Sequence, residues 1–316
     1  MFIPQAQQRD TGAAALSDLD NNFNLLRLAF ALMVAVYHVI VLPGVPEWAA
    51  LERPTSVLAE IGVQGFFVLS GYLVFASLER SSSLRLYAEK RVRRLYPAYA
   101  ATVIICALAA LAIAPAAGEG LAGVAKYLGW NLVFLNFKAP ELPGLFATNR
   151  FHEVNGALWT LKIEVMFYIV LPALAWLLRV AGRWRWGVVV LVYVGAEAWR
   201  LGLEAAGHSE IARQLPGQMS FFITGVAFRM ARLDRRRLQM AGLIGAGLLV
   251  PSLFVSSFEP VRAAGLGAAS ILFATGWKRV FDAARFGDLS YGLYIVHSPR
   301  HRSHDLGESV EPPTPA

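Results

Sequence analysis

Apolar residues in this chain gather in long runs with few charges. Such runs lie near 23–42, 57–78, 96–117, 157–178, 186–201, 216–230, 238–256 and 263–276, and a short one starts near 287. Runs of this kind read as membrane helices, although several fall short of the ~20 residues that cross a bilayer upright. One more patch, YLGWNLVFLNF (127–137), is too short to span and reads as an interfacial or re-entrant segment. The pattern predicts an all-α fold: a single polytopic integral membrane helical bundle of about nine apolar segments, the last incomplete. No repeated segment and no soluble second domain interrupt it.

Composition supports that class. Of 316 residues, 56% are hydrophobic and 16% charged, and mean hydropathy is +0.48. The one cysteine, Cys106, lies inside an apolar run, so no disulfide framework forms within the chain. The first twenty residues are polar and lack the basic and apolar regions of a signal peptide. The formal charge of +7 is assigned to loops facing anionic headgroups, and nucleic acid is not expected as a partner. Basic residues crowd the connections 79–95, 179–185, 229–237 and 278–285, outnumbering those in the alternate connections by roughly three to one. This positive-inside bias predicts a multi-pass protein of the cell inner (plasma) membrane with a cytoplasmic N-terminus. The 43–56 and 118–156 connections then lie outside.

Within the spans, a few polar residues stand out. RLAFALMVAVYH begins with Arg27 and ends with His38, and ten uncharged residues lie between them. At 100° per residue the two are ~20° from a whole number of turns and ~16 Å apart along the axis. They share one face, which lines a passage if both act together. Read singly, Arg27 is a snorkelling end residue and His38 a buried histidine bonded to a neighbouring helix. In GVQGFFVLSGYLVF (62–75) the glycines allow close packing, while Gln64 and Ser70 need partners in lipid. ALWTLKIEVMFYIVLP (157–172) carries Glu164 about two turns from the outer side, near the depth of His38. A carboxylate and an imidazole so placed form a dyad in which the carboxylate orients the ring. Lys162, two residues away, points to another face and is a poor partner for Glu164. His152 and Glu153 read as solvated loop residues. In YAEKRVRRLYPAY (87–99), Arg91 and Arg94 share a face. They read either as orientation determinants at anionic headgroups or as a clamp for phosphates.

Six stretches together resemble the membrane acyltransferase-3 family, which acylates cell-surface glycans and other acceptors. They are the Arg27/His38 pair, GVQGFFVLSGYLVF, KRVRRLYPAY, ALWTLKIEVMFYIVLP, FFITGVAF (221–228) and DLSYGLYIVHSP (288–299), and the resemblance covers residues 20–299. It implies an O-acyltransferase moving an acyl group, acetyl first among the candidates, from cytosolic acyl-CoA to a hydroxyl of a cell-surface or exported saccharide. On that resemblance His38 is general base or transient acyl carrier, Glu164 orients it, and Arg27, Arg91 and Arg94 hold donor phosphates. The thioester supplies the driving force, so no metal is expected. The implied partners are the lipid bilayer, acyl-CoA and a saccharide acceptor; oligomeric state is not readable.

The domain expectation is a polar N-terminal tail (1–20), a membrane acyltransferase-like domain (21–299) and a disordered polar tail (300–316). The run from Leu289 stops at Pro299, whereas the family continues, so RHRSHDLGESVEPPTPA reads as a truncation or a shifted frame. His297 matches a family position within that interrupted helix; His301 and His304 receive no role. Other readings are an acyltransferase for a lipid, peptide or small natural product, a transporter, and a non-catalytic truncated remnant. Internal repeats would favour transport.

Overall fold

The computed structural model describes residues 21–113, 119–143, 153–156, 158–278, 280 and 289–296. The described chain is helical, with no strand among these residues. In order it forms α1 (Phe23–Val41), α2 (Ala49–Glu79), α3 (Leu84–Ile113), α4 (Glu119–Asn131), α5 (Leu158–Val180), α6 (Arg185–Ala205), α7 (Ser209–Ala212), α8 (Leu215–Ala231), α9 (Arg235–Ser252), α10 (Arg262–Gly276) and α11 (Leu289–Val296). Both terminal tails, His152, His297, His301 and His304 lie outside the described residues.

Each expected run falls on a helix, but the bounds differ for physical reasons. α2 starts before its apolar run because Ala49, Ala50, Leu51, Glu52 and Arg53 are good helix formers, and it carries Pro54 inside the helix. α3 starts at Leu84 because Arg, Lys, Glu and Leu are good helix formers even where the segment is too charged to enter lipid. The 127–137 patch forms no helix of its own. α4 ends at Asn131, whose side chain donates to the carbonyls of Tyr127 (2.9 Å) and Ala139 (2.8 Å). Phe134, with φ of 62°, turns its ring onto Tyr99 at 4.2 Å.

Among the described residues, five helices are long and apolar enough to cross a membrane: Phe23–Val41, Pro46–Glu79, Leu84–Ala112, Leu158–Val180 and Gly182–Ala205. This is a multi-pass membrane protein. The expected number of nine does not follow from helix length. α8 and α10 have 17 and 15 residues, about 26 and 23 Å against a hydrocarbon core of about 30 Å.

α8 is buried on all faces from Gly217 to Val226, as a helix surrounded by helices must be. Its crossing with α2 is built on two glycines. A side chain at Gly71 would strike the Phe222 carbonyl, and one at Gly225 would strike the Val68 carbonyl. Such backbone proximity gains dispersion contacts that lipid cannot supply. Gly225→Val is expected to destabilise the bundle by about 1–3 kcal/mol through overpacking, read as a lowered unfolding midpoint in detergent. An unchanged midpoint would mean that the crossing is looser than described. Phe167 of α5 stacks on Phe222 (4.3 Å) and meets Phe67 edge-on (5.2 Å), which joins α5 to the same core.

Polar ties hold the two ends of the bundle. Before α1, the backbone N–H of buried Asn22 donates to the Ala274 carbonyl (2.9 Å), its side-chain amide donates to Lys278 O (3.2 Å), and its Oδ1 accepts from Val280 N (2.7 Å). At the other end, Arg200 of α6 is 2% exposed. It donates to Glu197 and Glu259 at 2.7 Å each, and to Glu204 at 3.5 Å. Arg262 continues the network to Glu60 (3.0 Å), which also accepts from buried Gln64 (2.7 Å).

Candidate active site in the cleft between α1, α3 and α5

The cleft opens where α1, α2, α3, α5 and α11 meet. α1 brings Arg27, α3 brings Arg94, and α5 brings Glu164 and Tyr168. α2 contributes Ser70, answering its need for a partner in an apolar helix. The Glu164 carboxylate accepts from the Tyr168 hydroxyl one turn further along α5, and from Ser70 Oγ at 3.5 Å. Two guanidiniums and one carboxylate thus meet on one cleft, with Arg27 and Glu164 half-buried and Arg94 exposed.

The short α11 forms the back of the cleft and is tied down on three sides. Tyr291 donates to the Leu95 carbonyl (2.7 Å), the Tyr294 hydroxyl meets Thr160 Oγ1 (2.5 Å), and Asn155 donates to Ile295 O (2.9 Å). These groups were not singled out from sequence. Tyr168 carried a readable signal, four residues after Glu164 and therefore on its face of the helix. Tyr291 and Tyr294 lie in the DLSYGLYIVHSP stretch, but nothing in their spacing names Leu95 or Thr160 as partners.

The sequence-expected residues divide into groups. Arg27, Arg94 and Glu164 line the cleft together. His38, toward the far end of α1, is not among the cleft residues. Its Nδ1 lies 2.8 Å from the Val34 carbonyl. A carbonyl only accepts, so Nδ1 carries the hydrogen and the neutral ring keeps its lone pair on Nε2. The tautomer suited to a base at Nε2 is therefore set within α1 itself. Glu164 and His38 are not hydrogen-bonded to each other; the carboxylate is held by Tyr168 and Ser70 instead. Lys162 turns away from Glu164, donating to Gln214 (2.8 Å) with its ammonium 4.8 Å from the Phe137 ring centre. Glu153 is exposed.

Arg91 parts from Arg94. It donates to Ser77 Oγ (3.2 Å), lies 5.7 Å from the centre of the Tyr168 ring, and faces a second depression on the other side of that ring. Helical side chains lean toward the N-terminus of their helix, and this lean carries Arg91 to the last turn of α2.

A family model described as an acyltransferase domain matches residues 20–299, which include every helix that builds the cleft. The chain belongs to the acyltransferase-3 family. It is an acyltransferase, and its apolar helices agree with a family that works in the membrane. Among relatives, Nodulation protein 10 of Rhizobium leguminosarum bv. viciae is 29% identical over 88% of this chain and 82% of its own length. The O-acetyl transferase of Shigella phage Sf6 is 30% identical over 48% of this chain and 44% of its own. Peptidoglycan O-acetyltransferase OatA of Listeria monocytogenes is 32% identical over 36% of this chain and 19% of its own. No solved structure matches the chain.

Proposed function

We propose that the protein is a membrane O-acyltransferase that takes an acyl group, acetyl first, from cytosolic acyl-CoA and places it on a hydroxyl of a cell-surface or exported saccharide. The observation that carries this reading is the assembly of Arg27, Arg94 and Glu164 on one cleft in a member of an acyltransferase family. O-acetyl transfer in two relatives supports acetyl as the group.

In the proposed mechanism Arg27 and Arg94 hold the donor phosphates, since guanidinium forks match phosphate oxygens. The acceptor hydroxyl approaches from the opposite side and gives its proton to His38 Nε2. Its oxygen attacks the thioester carbonyl, the carbon–sulfur bond breaks, and the thiolate leaves with the coenzyme. Glu164 stabilises the imidazolium through its negative charge, while the Val34 carbonyl orients the ring through Nδ1. Arg91, paired with Arg94 in the sequence, lies across the Tyr168 ring from these phosphates and is not assigned to them.

The proposed topology has nine apolar segments in the plasma membrane with a cytoplasmic N-terminus, and the catalytic domain is residues 21–299. Reporter fusions after residues 45, 82, 183 and 233 should read outside, inside, inside and inside, respectively. A reporter at 233 found outside would overturn the count.

The deciding experiment uses a host that lacks its own enzyme and carries either this chain or His38→Ala. Ester-linked acetyl on purified envelope glycan is read by proton NMR before and after mild base. The signal should return with this chain and be absent with the variant; equal signal from both would remove His38 from the chemistry. In membranes from the same cells, Arg27→Gln and Arg94→Gln should each raise the donor KM by about tenfold to a hundredfold. An unchanged KM would place the phosphates elsewhere.

A further inference from the structure

A second depression lies across Tyr168 from the cleft, between α3 and α5. One wall is a single stripe of α3 from Leu84 to Tyr96; the other is the α5 stripe from Val165 to Pro172. Twelve residues of helix make the slot about 18 Å long. Phe134 stands beside Tyr96 at its inner end. Val92 and Ile169, on its lips, are 58% and 71% exposed, so the slot opens away from the bundle toward lipid.

Among the described lining residues the one charge is Arg91. Its partners are a hydroxyl and a ring face, neither of them anionic, and its Nε is buried without a hydrogen-bond partner. Ser77 lies in the last turn of α2, so the guanidinium sits near the membrane boundary, midway along the slot, with the Val92–Tyr96 part running inward from it. A cation at headgroup level with an apolar channel below is complementary to an anionic phospholipid. A coenzyme A thioester fits this slot poorly. Its amide-bearing arm separates the phosphates from the acyl carbon, and those amides would lie unbonded against apolar walls.

We propose that the α3–α5 slot binds one anionic phospholipid from the leaflet at which α3 begins. Arg91 takes the phosphate, and one acyl chain enters the slot along its inner part, between Val92–Tyr96 of α3 and the α5 wall. Leu95 and Tyr168 line both the slot and the cleft, so the bound chain braces the wall that carries the Tyr168–Glu164 bond. The inference stands independently of which acyl group the cleft transfers.

The test is native mass spectrometry of the full chain in a mild non-ionic detergent. Phosphatidylglycerol or phosphatidylcholine of identical chains is added in turn. The expected result is one retained phosphatidylglycerol, bound about tenfold more tightly than phosphatidylcholine. Arg91→Gln should reduce phosphatidylglycerol to the phosphatidylcholine level. Ala88→Trp and Val92→Trp, both at exposed positions, should fill the slot and lose the lipid with helix content unchanged. Coenzyme A or inorganic phosphate should leave the lipid in place. Equal retention of the two lipids, phosphatidylglycerol retained by all three variants, or displacement by coenzyme A would overturn the proposal.

Discussion

Glu164→Gln is expected to lower the acyl-transfer turnover number by about 10²- to 10⁴-fold, the range for a group acting in acid–base catalysis. Donor KM should stay within about twofold, because Glu164 is not assigned to the phosphates. The substitution isolates charge. The amide oxygen of glutamine still accepts from the Tyr168 and Ser70 hydroxyls that hold the carboxylate, so the cleft keeps its shape and loses one negative charge. An imidazolium forming in the proposed mechanism would then lack its counter-charge. Labelled acyl transfer in membrane vesicles, with the amount of folded protein measured in parallel, checks it. Full turnover in the variant would reduce Glu164 to a packing role; a raised KM with unchanged turnover would move it to donor binding.

Arg200→Met is expected to cost about 3–5 kcal/mol of stability, the range for breaking a buried ion cluster by removing one side. Arg200 donates to Glu197, Glu259 and Glu204 from a buried position, and Glu197 is itself buried. Without the guanidinium, Glu197 keeps its desolvation cost and loses its cation. Glu259, in the turn that leads into α10, still has Arg262 at 3.8 Å, and this remaining contact holds part of the network. The midpoint of thermal unfolding in detergent should fall by roughly 5 °C or more. Arg200→Lys should recover only part of the loss, since one ammonium does not span carboxylates that a guanidinium fork reaches together. Arg200→Met/Glu197→Leu should be more stable than Arg200→Met alone, because the stranded charge is gone. A single variant as stable as the parent would mean that water reaches this cluster freely.

Much of the fold was legible because the bilayer imposes a one-dimensional constraint. A spanning helix must be apolar along its length, so each run announced its helix. Where runs and helices part, charged residues with good helix propensity carry α3 beyond the apolar stretch. The α8 run is shorter than a full span, and its burial depends on neighbours that hydropathy does not count.

The sequence by itself determined that this is a helical membrane protein, and it pointed to Arg27, His38, Arg91, Arg94 and Glu164 as polar groups in need of a reason. A charge within an apolar helix is costly wherever the helix packs, so its presence is visible without coordinates. Only the tertiary structure decided which of those groups meet. It set Arg27, Arg94 and Glu164 on one cleft, gave Glu164 to Tyr168 and Ser70, and held His38 Nδ1 on the Val34 carbonyl. It also turned Arg91 into a separate slot and gathered Glu197, Glu204 and Glu259 around Arg200. Helical periodicity fixes which residues share a face, but the partner of that face depends on how helices far apart in the chain cross. Those crossings are set by contacts such as Gly71 with Phe222 and Gly225 with Val68, whose pairing no local pattern records.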